Sequence, residues 1–429
     1  MRDLFNVIAI RGFGVVFSAI TAMLSLRVFL AADPNNAATF VGFIGWLSFL
    51  PLSQLGFGRP CYAEVRSRAF DGSLEYGLVS SFIQLFTRQG VVAALLFGVL
   101  SVGFGLAQGY TGLWSALVIF AIGMATIASC ALQRDLAYAL DAESTYESLE
   151  TGRRAASVLI YLGIWQGIPL QVMGFFALIV GTGSFLLLNR HLKRRLKAVN
   201  AEAVVGDGVT HWHRLRPKIM GNARRYLGFS INEVVFYNTP LIMFTFYPVP
   251  GNVIYFGVWS KLFLLLVLPV RIFVDTRMNH VTALYFGANR TGAWRALIRC
   301  LQVGMGLVAP ALALLFFWQE ALLSWLNAQQ MLGDPWLLVS LALWAGGNIA
   351  QHTFGTFTIS YQDGFGFAYL NSLIGLFLVS GTIIGVYLLT QNLGKSMAWA
   401  GGMYILSALV YVWHVFRVTR VESLAGNEI

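Results

Sequence analysis

Apolar residues collect in long blocks along this chain of 429 residues, and short polar segments separate the blocks. An α-helix that crosses a bilayer core of about 30 Å needs roughly 20 mostly apolar residues. The pattern predicts twelve such helices, at residues Gly12–Ala31, Ala38–Gly58, Leu85–Leu106, Leu113–Gln133, Ala155–Gly167, Leu170–Leu188, Tyr226–Tyr247, Val253–Phe273, Ala296–Trp318, Pro335–Tyr361, Phe365–Leu389 and Met397–Phe416. The fifth block is short and joins the sixth through Gly167-Ile168-Pro169, so a single kinked helix, with eleven spans in all, stays an alternative.

The composition is that of a chain that lies mostly in lipid. Hydrophobic residues make up 57% of it and charged residues 11%, and the mean hydropathy is +0.68. A soluble domain usually has about 25% charged residues. We therefore predict an all-α integral membrane protein. Because Met1–Arg11 leads into a full-length span, we expect no cleaved secretory signal. The spacing of Cys61, Cys130 and Cys300 suggests neither a disulfide framework nor a metal site.

The basic residues predict that both ends of the chain lie in the cytoplasm, because Lys and Arg collect in the cytoplasmic loops of membrane proteins. With the N-terminus inside and twelve spans, Lys395 is the one basic residue in an external loop. The segment from Arg190 to Arg225 holds ten basic residues and two acids, which accounts for most of the net charge of +10. It adjoins membrane spans, so we expect it to face anionic lipid headgroups and not nucleic acid.

The spans fall into two similar sets of six. We predict an N-terminal half at residues 1–190, a basic cytoplasmic linker at 191–225, and a C-terminal half with a short cytoplasmic tail at 226–429. Pro51 and Arg59 of the second span are each 218 residues from Pro269 and Arg277 of the eighth. Two halves that both start inside form a parallel repeat, and transporters built in this way place the substrate between the halves.

Charged residues at membrane depth are the candidate functional residues, since each costs at least about 2.5–3.5 kcal/mol to insert and should face protein or water. Lys261 lies near the middle of the eighth span, and Glu233 lies at a similar depth in the seventh. These two form either a structural pair or a binding residue with its counter-ion. His352 in the tenth span could carry a proton, although a histidine there could equally be a helix-packing residue.

The other intramembrane charges lie closer to the membrane surfaces. Arg27 sits toward the outer end of the first span, Arg88 opens the third, and Arg271 and Asp275 close the eighth. The arginines could snorkel to headgroups, and Asp275 could simply pair with Arg271 at helical spacing. Most of the set is cationic, which suits an anionic substrate, because Arg and Lys can replace water around phosphate oxygens.

Two segments carry a resemblance to a known family. Leu50–Arg59 (LPLSQLGFGR), followed by Glu64-Val65-Arg66, resembles the exit of the second helix in Wzx-type polysaccharide flippases. These belong to the multidrug/oligosaccharidyl-lipid/polysaccharide (MOP) exporter superfamily. Tyr255–Leu262 (YFGVWSKL) is similar to the matching segment of their C-terminal half. Chain length, span number and the basic loop between the halves agree over nearly the whole chain.

The resemblance implies two six-helix halves around a central cationic cavity in a bacterial inner membrane. It also implies a substrate, an oligosaccharide repeat unit on undecaprenyl pyrophosphate, which would be flipped by alternating access for O-antigen, capsule or exopolysaccharide synthesis. Lys261, Arg27, Arg88 and Arg271 would bind the anionic headgroup, and Glu233, Asp275 and His352 would be coupling or counter-ion residues. Membrane lipids and the polysaccharide polymerase machinery are the expected partners.

Other functions stay open. A MATE-like cation-coupled drug antiporter of the same superfamily should carry acidic intramembrane residues. A polysaccharide polymerase or ligase should carry Arg or His in a long external loop, whereas residues 319–334 hold no basic residue. A scaffold would not need charge at mid-depth. The chain lacks the Gly-rich ATP-binding string, so we expect a transporter and not an enzyme, with no cofactor but with coupling to an H⁺ or Na⁺ gradient open.

Overall fold

A computed structural model describes residues 2–32, 36–70, 76–140, 142–199, 208–287, 289–359 and 364–425. These ranges contain helices and no strand, so the all-α prediction is confirmed. The α-helices are α1 (Arg2–Ala32), α2 (Ala37–Trp46), α3 (Gly58–Phe70), α4 (Tyr76–Ala107), α5 (Trp114–Ser129), α6 (Arg134–Ala139), α7 (Glu143–Trp165), α8 (Leu170–Val199), α9 (Gly208–Tyr237), α10 (Thr239–Phe246), α11 (Pro250–Phe286), α12 (Arg290–Trp325), α13 (Pro335–Thr358), α14 (Gly364–Thr390) and α15 (Leu393–Ala425).

Where the structure describes the chain, each predicted span lies mainly on one helix or on consecutive helices. The second span covers α2, a 3₁₀ helix and the first residue of α3, and residues 360–361 of the tenth lie outside the described ranges. Within the described ranges, nine of these segments are long and apolar enough to cross a membrane. The predicted fifth, seventh and tenth spans, which correspond to α7, α9 with α10, and α13, are not among the nine. The reason is polarity: α7 begins with a charged segment that includes Glu147, Glu150 and Arg153, and α13 carries Asn348 and Gln351. For these three segments the prediction of a membrane span stays a prediction.

The chain forms two compact units, Met1–Ser230 (unit 1) and Ile231–Ile429 (unit 2). The predicted linker is largely helical where it is described, because α8 continues to Val199 and α9 begins at Gly208. Residues 200–207 lie outside the described ranges. The predicted division into half, linker and half stays a prediction.

Unit 1 is held together by close helix contacts and a buried aromatic core. The core includes Phe29 and Phe40, whose rings stack with centroids 4.5 Å apart. Helix α5 packs along α8. Small residues allow this approach, as they do in many membrane proteins: a Cβ added at Gly174 or Gly181 would lie 2.7 Å from a backbone nitrogen of α5.

Unit 2 is built around α13, which packs against both α11 and α15. Its core contains the fully buried Trp259 and Trp344, whose ring centroids lie 5.2 Å apart at an interplanar angle of 78°. Phe263 stacks on Trp259 with centroids 5.2 Å apart. These aromatic contacts fix the spacing of the helices that carry the intramembrane charges of this unit.

The two corresponding prolines have different local structures. Pro51 lies in a short 3₁₀ helix, Leu47–Gln54, which ends in the left-handed conformation at Leu55 (φ 49°) and Gly56 (φ 75°). Pro269 lies inside the continuous helix α11. An internal proline removes one backbone hydrogen bond and bends a helix. Pro51 therefore lies where regular α-helix is interrupted between α2 and α3, whereas α11 continues through Pro269.

Candidate functional site

One face of α11 carries three of the predicted site residues. Lys261 and Asp275 are 14 residues apart, which brings them to nearly the same side of a helix with 3.6 residues per turn, and Arg271 lies one turn before Asp275. All three side chains are half-buried. The face they share extends about 21 Å along the helix axis, given a rise of about 1.5 Å per residue.

Helices α9 and α13 supply the polar groups that meet this face. Glu233 lies one turn before the end of α9, where Asn238 interrupts the helix and α10 restarts with Pro240 in its first turn. The side chain of Asn238 donates to the carbonyl of Val234 over 2.8 Å, and its backbone N–H donates to the same carbonyl over 3.2 Å, so Asn238 closes the last turn of α9.

A hydrogen-bond network connects α11 with α9, α13 and α15. The Nε of Arg271 donates to Oδ1 of Asn348 over 3.1 Å. The Nδ2 of the same Asn348 donates to the hydroxyl of Tyr237 over 2.6 Å and to that of Tyr404 over 3.2 Å. The two tyrosine hydroxyls also bond each other. Asn348 is therefore the central residue of the network, and it is buried.

Glu233 joins this network through partners other than Lys261, the partner that the sequence suggested. Nε2 of Gln351 donates to the Glu233 carboxylate. Its one electrostatic partner of opposite charge is Arg271 and not Lys261. A structural pair of Glu233 with Lys261, one of the two alternatives, is not formed, because no ion pair or hydrogen bond joins these two described side chains. The role of each residue stays a prediction.

Asp275 pairs with His352, another of the predicted coupling residues. The carboxylate Oδ1 lies 3.1 Å from His352 Nε2, and both side chains are partly exposed. Sequence spacing suggested Arg271 as the partner of Asp275. The structure instead gives Asp275 a partner across the interface of α11 with α13, which only the packing of two helices could reveal.

Lys261 makes no hydrogen bond and no ion pair with any residue that the structure describes. Its side chain is half-buried, and burial is the one influence on its charge. An ammonium group in this position is a donor without a protein acceptor. It is therefore available to an anionic ligand or to water.

Arg27 and Arg88 belong to unit 1, whereas the other five predicted residues belong to unit 2. Arg27 is half-buried in α1, and Arg88 is exposed on α4. Their participation in one binding site with Lys261 and Arg271 stays a prediction.

Sequence reasoning missed Asn348, Tyr237 and Tyr404. One signal was available: Asn348 follows two glycines, Gly346 and Gly347, in an otherwise apolar segment. A Cβ at Gly347 would lie 2.7 Å from the Tyr404 ring, so this glycine lets α15 bring its tyrosine to Asn348.

The predicted residues of unit 2 are balanced in charge. Lys261 and Arg271 are matched by Glu233 and Asp275, with His352 as a fifth, titratable group. The expectation that cations predominate therefore does not hold within this unit. Among the described residues, no three His, Cys, Asp or Glu side chains come together as a metal site would need.

No protein-family model and no curated protein matches the chain. Solved structures do resemble it along nearly its whole length. A multidrug resistance MATE family transporter of the MOP superfamily, in an inward-facing conformation, has a TM-score of 0.62 at 13% identity, covering 96% of each chain. A mutant of the Vibrio cholerae MATE transporter VcmN has a TM-score of 0.66 at 12% identity, covering 98% of this chain and 97% of that one. A MATE protein in complex with MaL6 has a TM-score of 0.58 at 15% identity, covering 96% and 97%.

The chain is thus an all-α, multi-pass membrane protein of two halves. It has the fold of MATE transporters of the MOP superfamily. At 12–15% identity this similarity shows the fold alone. Membership of the superfamily and the Wzx-type flippase function both stay predictions.

Proposed function

We propose that this protein is a cation-coupled antiporter of the MATE type, in which H⁺ or Na⁺ binds at the acidic positions of unit 2 and drives export of an organic cation. The observation that carries the proposal is the place of Glu233, a half-buried carboxylate of α9, in the predicted seventh span, with Gln351 and Arg271 as its partners. Similarity in fold to MATE transporters supports the same function. A MATE-like antiporter is also the function that acidic intramembrane residues favour.

The coupling step follows from the electrostatics of this group. A carboxylate is costly at membrane depth, so its charge has to be compensated by a partner, a proton or a metal cation. In the structure Gln351 donates to it and Arg271 attracts it. Binding of H⁺ or Na⁺ would remove that attraction and free Arg271 to be held by Asn348 alone. Such a change at α9, α11 and α13 can bias two conformations of unit 2.

The test is transport in liposomes that contain the purified protein. Efflux of a fluorescent organic cation such as ethidium would be followed under an imposed pH gradient, a sodium gradient, or neither. We expect one of the two gradients to drive efflux, and Glu233→Gln to abolish the dependence on it. Glu320→Gln, which changes an exposed acid on α12, is the matched control and should keep the coupling. Gradient-independent efflux by the original protein would contradict the proposal.

A second candidate is the lipid-linked oligosaccharide flippase, which one specific observation favours. Lys261 is a half-buried cation without a partner among the described residues, as a residue that binds a substrate phosphate would be. Arg271 would contribute a second charge one to two nanometres away along α11, since ten residues rise about 15 Å. In this case Glu233 would be the counter-ion that keeps the site from binding free phosphate too tightly.

A separate assay distinguishes the flippase from the antiporter. Vesicles would contain an undecaprenyl-pyrophosphate-linked sugar with a fluorescent label, and a membrane-impermeant reductant would quench the label in the outer leaflet. Protein-dependent loss of the protected fraction would support the flippase. Ethidium efflux without any lipid flipping would support the antiporter.

A further inference from the structure

Unit 1 has an apolar groove of about 320 Å³ between α4, α5 and α8. Val91, Leu95, Ile122, Leu178 and Leu186 line most of it. Its hydroxyl groups are largely occupied, because those of Thr87, Thr126 and Ser129 donate to carbonyls of their own helices. A groove that offers few free polar groups suits an apolar ligand.

One end of the groove is cationic. Arg88 lies one turn before Val91 and two turns before Leu95 on the same face of α4, and Arg190 lies one turn after Leu186 on α8. Both arginines are exposed, and neither has an ion pair or hydrogen bond with a residue that the structure describes.

Two contacts show that the arginines flank the same end. Gly90 of α4 lies against Phe185 of α8: a Cβ added at Gly90 would be 3.6 Å from the phenyl ring. One turn further along α8, the side chain of Gln133, which follows α5, donates to the side chain of Asn189 over 2.6 Å. The glycine contacts show that α4 runs antiparallel to α8. Arg88 lies two residues before Gly90 and Arg190 five residues after Phe185, so both lie toward the same end of the groove.

The depth of this end matches a lipid headgroup. Residues 89–107 of α4 contain no charged side chain, and nineteen helical residues extend about 29 Å, close to the thickness of a bilayer core. Arg88 is the one charged residue of the candidate span Gly77–Ala107. The length of the segment after it lets Arg88 lie at a boundary of the hydrocarbon region, with the groove beginning one turn inside. The exposed Val91, Val92, Leu95 and Leu96 beside it, all 55–57% exposed, are suited to contact with acyl chains.

We propose that this groove binds one acyl chain of an anionic phospholipid, whose phosphate is held by Arg88 and Arg190. Charge complementarity selects this occupant: an apolar slot that ends in two guanidinium groups at headgroup level matches a lipid with a negative head, and arginine binds phosphate through paired donors. Whereas the α11 face belongs to unit 2, the groove belongs to unit 1. It gives Arg88 a membrane lipid as its ligand in place of the transported substrate.

The first test is lipid retention. The purified protein would be equilibrated with an equimolar mixture of phosphatidylglycerol and phosphatidylcholine of the same acyl chains, and bound lipid would be measured by native mass spectrometry. We expect preferential retention of phosphatidylglycerol, reduced about fivefold for each arginine changed to glutamine, since a basic residue near an anionic lipid surface contributes about 1 kcal/mol. The double change Arg295→Gln and Arg299→Gln, at exposed arginines of α12, is the control. Equal retention of the two lipids by the original protein would overturn the proposal. So would a loss of phosphatidylglycerol in the control variant as large as that in the Arg88 and Arg190 variants.

The second test fills the groove without changing charge. Val91 lines it and Val92 does not, although the two are 57% and 55% exposed. We expect Val91→Trp to lose the retained phosphatidylglycerol and Val92→Trp to keep it, with both proteins monodisperse in detergent. Retention by both variants would overturn the proposal. So would dissociation of a dimer by Val91→Trp, which would identify a second copy of the chain as the occupant.

Discussion

Asn348 holds Arg271 in place: its Oδ1 accepts from Arg271 Nε over 3.1 Å, while its Nδ2 donates to the hydroxyls of Tyr237 and Tyr404. The oxygen and the nitrogen of the Asn348 amide are thus both hydrogen-bonded. Because Asn348 lies on α13, Tyr237 on α9 and Tyr404 on α15, the position of Arg271 depends on these three helices. A charge held in this way has a defined distance to its acidic partner, Glu233.

The first prediction concerns this amide. Asn348→Ala removes a hydrogen bond to a charged group, worth about 1.5–3 kcal/mol, and removes the amide donor that the hydroxyls of Tyr237 and Tyr404 share. We expect transport per folded molecule to fall roughly tenfold or more, which corresponds to about 1.4 kcal/mol or more. Liposome transport and thermal unfolding in detergent measure the two effects.

Asn371 provides a matched control for that change. It is a buried asparagine of the same unit, and its side chain donates to the carbonyl of Ser407 over 3.2 Å. We expect Asn371→Ala to lower the unfolding temperature while transport per folded molecule stays close to normal. If the two variants lost transport equally, the special role of Asn348 would be excluded.

The second prediction separates Lys261 from Glu233. Since they are not in contact, the effects of Lys261→Ala and Glu233→Gln should be additive within about 0.5 kcal/mol, as they are for independent sites. Lys261→Ala should leave the unfolding temperature nearly unchanged, because it removes no ion pair. A double variant that regains the stability or the transport lost in the single variants would show that the two are coupled after all.

The helices could be predicted from sequence, but their relative rotation could not. Lipid forces each apolar block to satisfy its own backbone, so the blocks alone locate the helices. The depths assigned to Glu233 and Lys261 come from counting residues and stay predictions. The partners of Glu233 do not follow from this count, because they come from α11 and α13, and periodicity does not contain the packing of these helices against α9. Gln351 and Asn348 became site residues only through the packing of α13.

The third prediction tests the orientation of the chain, for which the distribution of Lys and Arg is the basis. Reporter fusions after Asn35, Gly109, Pro250 and Gln329 should read as external. Fusions after Gly72, Gly206 and Asn289 should read as cytoplasmic. An external reading at Gly206 would contradict both the twelve-span count and the two-half arrangement.

The fourth prediction concerns Glu150, which precedes the predicted fifth span in α7. Burial would raise the pKa of its carboxyl, but Arg153 and Arg154 outweigh burial and hold the pKa below its ordinary value of 4.5. The Glu150 carboxylate forms an ion pair with Arg153, which is 2% exposed. It also accepts a hydrogen bond from Nε of Arg154 over 3.0 Å. Glu150→Gln would leave the buried Arg153 charge uncompensated, at a cost of about 3–5 kcal/mol.

The pH dependence of that cost has a defined sign. A carboxyl whose folded pKa is lowered contributes stability above its ordinary pKa and loses it as the pH falls through the folded value. The difference in unfolding temperature between the original protein and Glu150→Gln should therefore be full at neutral pH and shrink below about pH 4.5. Glu320→Gln, at an exposed acid, should show no such difference. A constant difference across this range would rule out the ion pair as its origin.

The last prediction compares two glycines of α8. Gly181 faces α5 so closely that an added Cβ would lie 2.7 Å from the backbone nitrogen of Ile127, whereas a Cβ at Gly183 would have no atom within 4 Å. Backbone atoms cannot move aside as a flexible side chain can, so Gly181→Ala has to push the two helices apart. Overpacking of this kind costs about 1–3 kcal/mol.

Gly183→Ala carries no such clash, and replacing a helical glycine by alanine contributes about 0.5–1 kcal/mol of stability. In the same detergent, the unfolding temperature of Gly183→Ala should therefore equal or exceed that of the original protein. The unfolding temperature of Gly181→Ala should be clearly lower. Equal unfolding temperatures for the two variants would mean that α5 and α8 do not pack at this distance.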